Sequence, residues 1–429
     1  MRKNFIFLLA IFVCALGFPV AFAQSDANTQ TNNDVSVASS PKADNASEGT
    51  IAAALSASDI VRQIGEARRS LSTRQASVVS HDQVALAAFD PATSQTRIFS
   101  FPKSEFLIKD ADLLATAQPG GPVRVHVVRA NGVNTAVTVT DVPSGRSLVP
   151  LLVQFPIVKG GALTEMAYYT SAHPALLSSA VTSAGQTYVR QMLDAAAARM
   201  AQGGVVISPD IVDVAEHLCI VEHTDHKRFM NEDQAILFPE ILSLYALNEG
   251  NTFRYSVSTA GAGGMIQMIP QTYKGIRQQH PAVSLQPDFV MGMRDHANAL
   301  EAMLLYMNDT WNKLAESAEV QNALRNGIAT KPELLAAGYN SNPGRLPLYL
   351  KNGGDEWRTL IPAETQMYLK IYSAVDKTLD LGPDSSVDGA GKGVQVTGSI
   401  TRPLGTALVL SWLSQSLSMT SPFFGRLMK

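Results

Sequence analysis

Residues 237–270 read LFPEILSLYALNEGNTFRYSVSTAGAGGMIQMIP. At about 100° per residue, Phe238, Leu242 and Tyr245 fall almost in line with Glu249 on one helical face. A carboxylate that ends an apolar stripe is partly desolvated, which raises its pKa and lets it hold a proton near neutral pH. A general acid needs that property. Gly250, directly after it, is a natural helix stop. A helix-end glutamate turned to solvent satisfies the same pattern, so the helix alone leaves both readings open.

The residues downstream narrow the choice. Ser258 to Pro270 combine a tight glycine-rich loop, with Gly261 and Gly264 in it, and an apolar run that carries the single amide Gln267. Glycine permits close approach of backbone to a ligand or another segment. A Gln isolated among apolar residues must find partners in backbone or in a bound sugar. Further on, Ala337-Gly338-Tyr339-Asn340-Ser341-Asn342-Pro343-Gly344-Arg345 sets an aromatic ring and an amide side by side before a turn. A saccharide groove uses such groups, the ring against C–H faces and the amide on hydroxyl or acetamido groups.

Taken in order, these blocks resemble the soluble lytic transglycosylase family, whose fold is similar to goose-type lysozyme. Counting back twelve positions from Gly261 reaches Glu249, which takes the place of the family's catalytic glutamate. Ser258, Gln267 and Pro270 match the loop block, Tyr339 and Asn340 the Tyr-Asn pair, and Ile361 to Tyr368 the closing Glu-Thr-x-x-Tyr block. The resemblance covers roughly the stretch from Leu237 to Tyr372, about a third of the chain. Gly250 departs from it, standing where the family keeps a serine. Ile266 and Ser341-Asn342 depart as well.

The resemblance implies cleavage of the β-1,4 bond between N-acetylmuramic acid and N-acetylglucosamine in peptidoglycan. Glu249 would protonate the leaving oxygen, then take the proton of the muramyl 6-hydroxyl as a 1,6-anhydro ring closes. This single-carboxylate scheme differs from the two-carboxylate arrangement of most glycosidases. It further implies that Ser258, Gln267, Tyr339 and Asn340 bind substrate, that Gly261 and Gly264 shape the loop, and that Glu364 supports the Tyr-Asn segment by hydrogen bonding. No metal or organic cofactor is implied. Two alternatives stay open: a lysozyme-type muramidase that uses water, and a non-catalytic peptidoglycan-binding component of an envelope assembly.

Outward from this core, the chain has 429 residues, 46% hydrophobic and 17% charged, enough for two or three domains with real cores. A net charge of −3 argues against a nucleic-acid partner. Residues 1–23 read as a secretory signal peptide: Arg2 and Lys3, an apolar Phe5–Val13, and Ala21-Phe22-Ala23 before the cut. Export to the periplasm of a Gram-negative bacterium follows. Beyond it only Cys219 remains, so no internal disulfide is expected. Residues 24–50 have the composition of a flexible tether. The appended segments suggest work with an envelope-spanning secretion or conjugation complex.

The expected fold class is multidomain α+β, a small N-terminal β domain followed by an all-α lysozyme-like catalytic domain. Residues 51–158 would hold a helical lead-in, with Ile60, Ile64 and Leu71 on one face, and then the β domain. There Val123, Val125 and Val127 pair across Asn131-Gly132 with Val137 and Val139. Residues 159–380 would be helical, with Ser208-Pro209-Asp210 as one helix start. Residues 381–429 would be a linker and an apolar helix from Leu404 to Met419. His217, Cys219, His223 and His226 form a loose set without the paired spacing of a zinc site, so no metal is expected there.

Overall fold

Gly160 and Gly161 both have positive φ, 58° and 81°, and they turn the chain back on itself. In the computed structural model, which describes residues 55–75, 81–116, 120–379 and 381, this turn joins two long antiparallel strands. The strands are β1 (Gln83–Asp90), β2 (Gln95–Pro102), β3 (Asp112–Thr116), β4 (Pro122–Arg129), β5 (Ala136–Asp141), β6 (Ser147–Lys159) and β7 (Ala162–Tyr169). They form one antiparallel sheet in the order β2-β1-β6-β5-β4-β3, with β7 also on β6, and it curls until it is nearly closed.

The inward residues are Val84, Leu86, Phe99, Phe101, Val123, Val125, Val127, Val137 and Val139. This is the alternation that a two-residue period requires. The expected pairing of β4 with β5 is present, Val125 opposite Val139 and Val127 opposite Val137. The outward face of β1 is covered by α1 (Ala57–Gln75), whose Ile60 and Leu71 pack on Ala85, Ala87, Phe89 and Leu151. Burial on both faces makes β1 read as a nearly continuous apolar run.

The longer helices that follow are α2 (Ser179–Gln202), α3 (Pro209–Val221), α4 (Gln234–Asn248), α5 (Pro270–Gln279), α6 (His296–Ala315), α7 (Lys331–Asn340) and α8 (Ala363–Thr378). The Ser208-Pro209-Asp210 start is that of α3. This helix is apolar and buried nearly all round, and it packs against α2, α6, α7 and α8. A helix without a polar face belongs at the centre of a bundle.

The expected division into a small β domain and a separate all-α domain is overturned. A boundary at 158/159 would cut the β6–β7 hairpin, because residues 162–169 are strand although Ala, Leu, Glu and Met favour helix. The glycine turn and the β6 ladder outweigh that local preference. Sheet and helices also share packing. Leu244 of α4 belongs to the core inside the sheet. Asn248 donates to the Thr170 carbonyl and accepts from the Thr170 N–H, both at 2.8 Å. All described residues fall in one compact unit. The expected signal peptide and tether, most of the expected C-terminal linker and the Leu404–Met419 segment lie outside the described residues. Among the described residues no helix is long and apolar enough to cross a membrane.

Candidate active site

The helix that should deliver Glu249 stops one residue early. Asn248 is the last residue of α4, and Glu249 caps it with φ 45° and ψ −125°, a conformation that glycine adopts far more readily. Phe253 (φ 54°) and Gln267 (φ 45°) are strained in the same way, so three of the five non-glycine residues with positive φ among those described lie between 249 and 267. Such strain persists only where the surroundings hold it, and functional sites collect it.

The loop after Glu249 is held by a dense set of bonds. The Ser258 hydroxyl accepts from the Ala262 N–H at 3.0 Å, and the Gly264 N–H donates to the Ser256 carbonyl at 3.1 Å. Gly264 has φ 71°, and a Cβ there would lie 2.3 Å from the Met293 carbonyl oxygen, so only glycine fits. Gly261, at φ 77°, turns the exposed tip. Gln267 donates to the Gly264 carbonyl at 2.8 Å and to the Ser256 hydroxyl at 3.2 Å, which leaves its own amide oxygen to solvent or a ligand.

Two of the other blocks come to this loop. The Tyr339 hydroxyl donates to the Ile266 carbonyl at 2.7 Å. Thr365 donates to the Asn340 side-chain oxygen at 2.9 Å. Glu364 does not support the Tyr-Asn segment as expected: it is exposed in the first turn of α8, and the neighbouring Thr365 holds Asn340 instead. The loop, the Tyr-Asn pair and the last block are therefore brought together, with Ser258 and Gln267 serving the loop's own geometry.

Glu249 is half-buried, and among the described residues its carboxylate has no hydrogen bond or ion pair. Burial alone raises its pKa. Its charge is felt by Tyr188 of α2, whose phenol is pushed up by burial and then by Glu249. The Tyr188 hydroxyl lies 3.0 Å from His296 Nδ1, and His296 Nε2 lies 2.8 Å from the Thr252 carbonyl. A carbonyl only accepts, so Nε2 carries the proton and Nδ1 accepts from Tyr188. Burial lowers the His296 pKa to about 4, which keeps the ring neutral. A Cβ on Gly250 would stand 3.9 Å from the Tyr188 oxygen, so a hydroxyl from another helix stands beside Gly250.

One group was not anticipated. Glu222, the cap at the C-terminus of α3, accepts a 2.6 Å hydrogen bond from Tyr368 of α8. Burial pushes its pKa up to about 8, against the lowering effect of Tyr368. The signal available in the sequence was the four-residue apolar run Leu218 to Val221 that ends on it. Beside it in sequence stand His217, Cys219, His223 and His226. Those residues point to different places. His217 meets the Asp213 carbonyl and Asp376, Cys219 is fully buried, and His223 donates to the Met265 carbonyl at 3.0 Å while stacking on Phe253. Among the described residues no three His, Cys, Asp or Glu side chains converge as a metal site.

A separate cavity of about 600 Å³, lined by Phe229, Gln234, Glu333, Arg358, Lys370 and Lys377 among others, shares no residue with this site. Comparison of the chain with protein-family models, curated proteins and solved structures gives no match.

Proposed function

We propose that the chain is a peptidoglycan lytic transglycosylase, cleaving the MurNAc–GlcNAc bond with closure of a 1,6-anhydro ring. One observation carries the reading. Blocks far apart in sequence meet around the glycine-rich loop, through Tyr339 on Ile266 and Thr365 on Asn340, beside partly desolvated carboxyl groups. An acid that remains protonated near neutral pH can give its proton to a glycosidic oxygen. The free amide oxygen of Gln267 and the half-buried Tyr339 and Asn340 offer polar and aromatic contacts to a sugar chain. The twelve-residue spacing to Gly261 makes Glu249 the sequence's candidate for that acid, and the buried Glu222, held by Tyr368, is a second candidate.

Export to the periplasm and service to an envelope-spanning assembly belong to the same proposal. Digestion of purified sacculi tests it. Anhydro-muropeptides are the expected product. Reducing ends would convert the reading to a water-using muramidase, and binding without soluble product to a non-catalytic wall protein.

A further inference from the structure

The residues that the sequence assigned to the site gather around a different carboxyl group. Tyr368, from the Glu-Thr-x-x-Tyr block, donates its hydroxyl proton to Glu222 Oε1 at 2.6 Å. Tyr339, from the Tyr-Asn block, feels the charge of Glu222, and so does Tyr368. Glu364, in the same block as Tyr368, acts on Glu222 through its own charge. His223, the next residue, binds the Met265 carbonyl, one position before the Ile266 carbonyl that Tyr339 holds. The loop, the Tyr-Asn pair and the last helix thus reach Glu222–His223 by hydrogen bonds or by charge. Among the described residues Glu249 makes no hydrogen bond to these blocks, and its charge acts on Tyr188 of α2.

The setting of Glu222 also suits an acid. It ends a buried helix, where the terminal carbonyls disfavour added negative charge. The groups that act on it are Tyr368 and Glu364 of α8, and none of them is a cation. Its carboxylate in turn registers on Tyr339 of α7, Tyr245 of α4 and Cys219 of its own helix. The adjacent His223 is kept neutral by burial, which lowers its pKa to about 3. The residue is half-buried, so part of it faces solvent.

We propose that Glu222, oriented by Tyr368, is the carboxylic acid that exchanges its proton with the substrate, and that Glu249 is not. This rests on the transglycosylase reading for its substrate but not on the Glu249 assignment. The Glu222 proton passes to the glycosidic oxygen as the bond from that oxygen to the anomeric carbon breaks and its electron pair stays on oxygen. The muramyl 6-oxygen then bonds to the anomeric carbon, and its proton returns to the Glu222 carboxylate. The acid is regenerated and no water is consumed.

Full-length chain, Glu222→Gln, Glu249→Gln and Tyr368→Phe are compared on purified sacculi, with folding checked by thermal melts. Glu222→Gln should lower release of anhydro-muropeptides about 1,000-fold, and Glu249→Gln less than about tenfold. Tyr368→Phe, which removes a bond that favours the ionised acid, should move the alkaline limb of the pH–rate profile up by about one pH unit. Activity lost in Glu249→Gln but kept in Glu222→Gln overturns this assignment while leaving the function intact. Equal loss in both variants, or an unmoved limb in Tyr368→Phe, overturns it as well. A wild-type chain that releases nothing defeats the transglycosylase reading, and this proposal with it.

Discussion

Replacing Glu222 by Gln should make the protein progressively more stable than the wild type as pH rises. In the folded chain burial lifts this carboxyl from 4.5 to about 8, while in the unfolded chain it ionises at its ordinary value. Below pH 4.5 both states hold the proton and the group costs nothing. Between 4.5 and 8 the folded state binds more protons than the unfolded one, so stability falls by about 1.4 kcal/mol for each pH unit. Above 8 both states are ionised and the full cost, about 5 kcal/mol as a ceiling, is in place. Because the residue is partly exposed, solvent screening should reduce this to a few kcal/mol. Glutamine keeps the shape and the hydrogen-bonding oxygen for Tyr368 without the charge. Urea unfolding of both proteins from pH 5 to 9 measures the effect as a difference. Glu216, also pushed up to about 7 by burial, contributes a slope of the same sign in both proteins and cancels. Parallel stability curves, or a wild type that gains on the variant with rising pH, would refute the argument.

Other substitutions test the frame around the site. Gly185→Ala should cost about 3 kcal/mol or more in thermal unfolding, because its Cβ would lie 1.9 Å from the Leu242 carbonyl oxygen where α2 and α4 cross; a cost below about 1 kcal/mol would contradict that contact. Asn248→Ala should cost about 2–4 kcal/mol and speed amide exchange at Thr170, whose N–H and C=O both lose their partner. Unchanged exchange there would count against the junction described. Gly250→Ser should change stability by less than about 0.5 kcal/mol, since its Cβ would meet only the Tyr188 oxygen, at 3.9 Å; a large loss would mean that the Glu249–Gly250 backbone cannot accept a side chain.

Local patterns in the sequence revealed the elements whose signals were themselves local. The alternating valines of β4 and β5 pair as the alternation predicts, though across a longer loop than the two-residue turn at Asn131-Gly132, and Ile60 and Leu71 of α1 face the sheet. β7 was hidden because five of the eight residues from Ala162 to Tyr169 favour helix, and only the Gly160-Gly161 pair marked a turn. That mistake placed a domain boundary inside a hairpin. The glycine-rich loop and the Tyr339–Asn340 pair were legible from motif order, and they do meet. The helical phase that pointed to Glu249 failed at its last step, since Glu249 has left the helix. Glu222 was not legible because the group that defines it, Tyr368, is 146 residues away. No window of sequence contains both.

The double hydrogen bond between Asn248 and Thr170 fixes an angle as well as an energy. Tyr255 adds to it from the glycine-rich segment, donating to Glu165 of β7 at 2.6 Å. With Asn248 held at Thr170, just past β7, and Tyr255 held at Glu165 within it, the curled sheet and the loop after α4 move as one body. On the proposed reading, a surface that gripped the sheet would therefore also set the direction in which the loop faces its substrate.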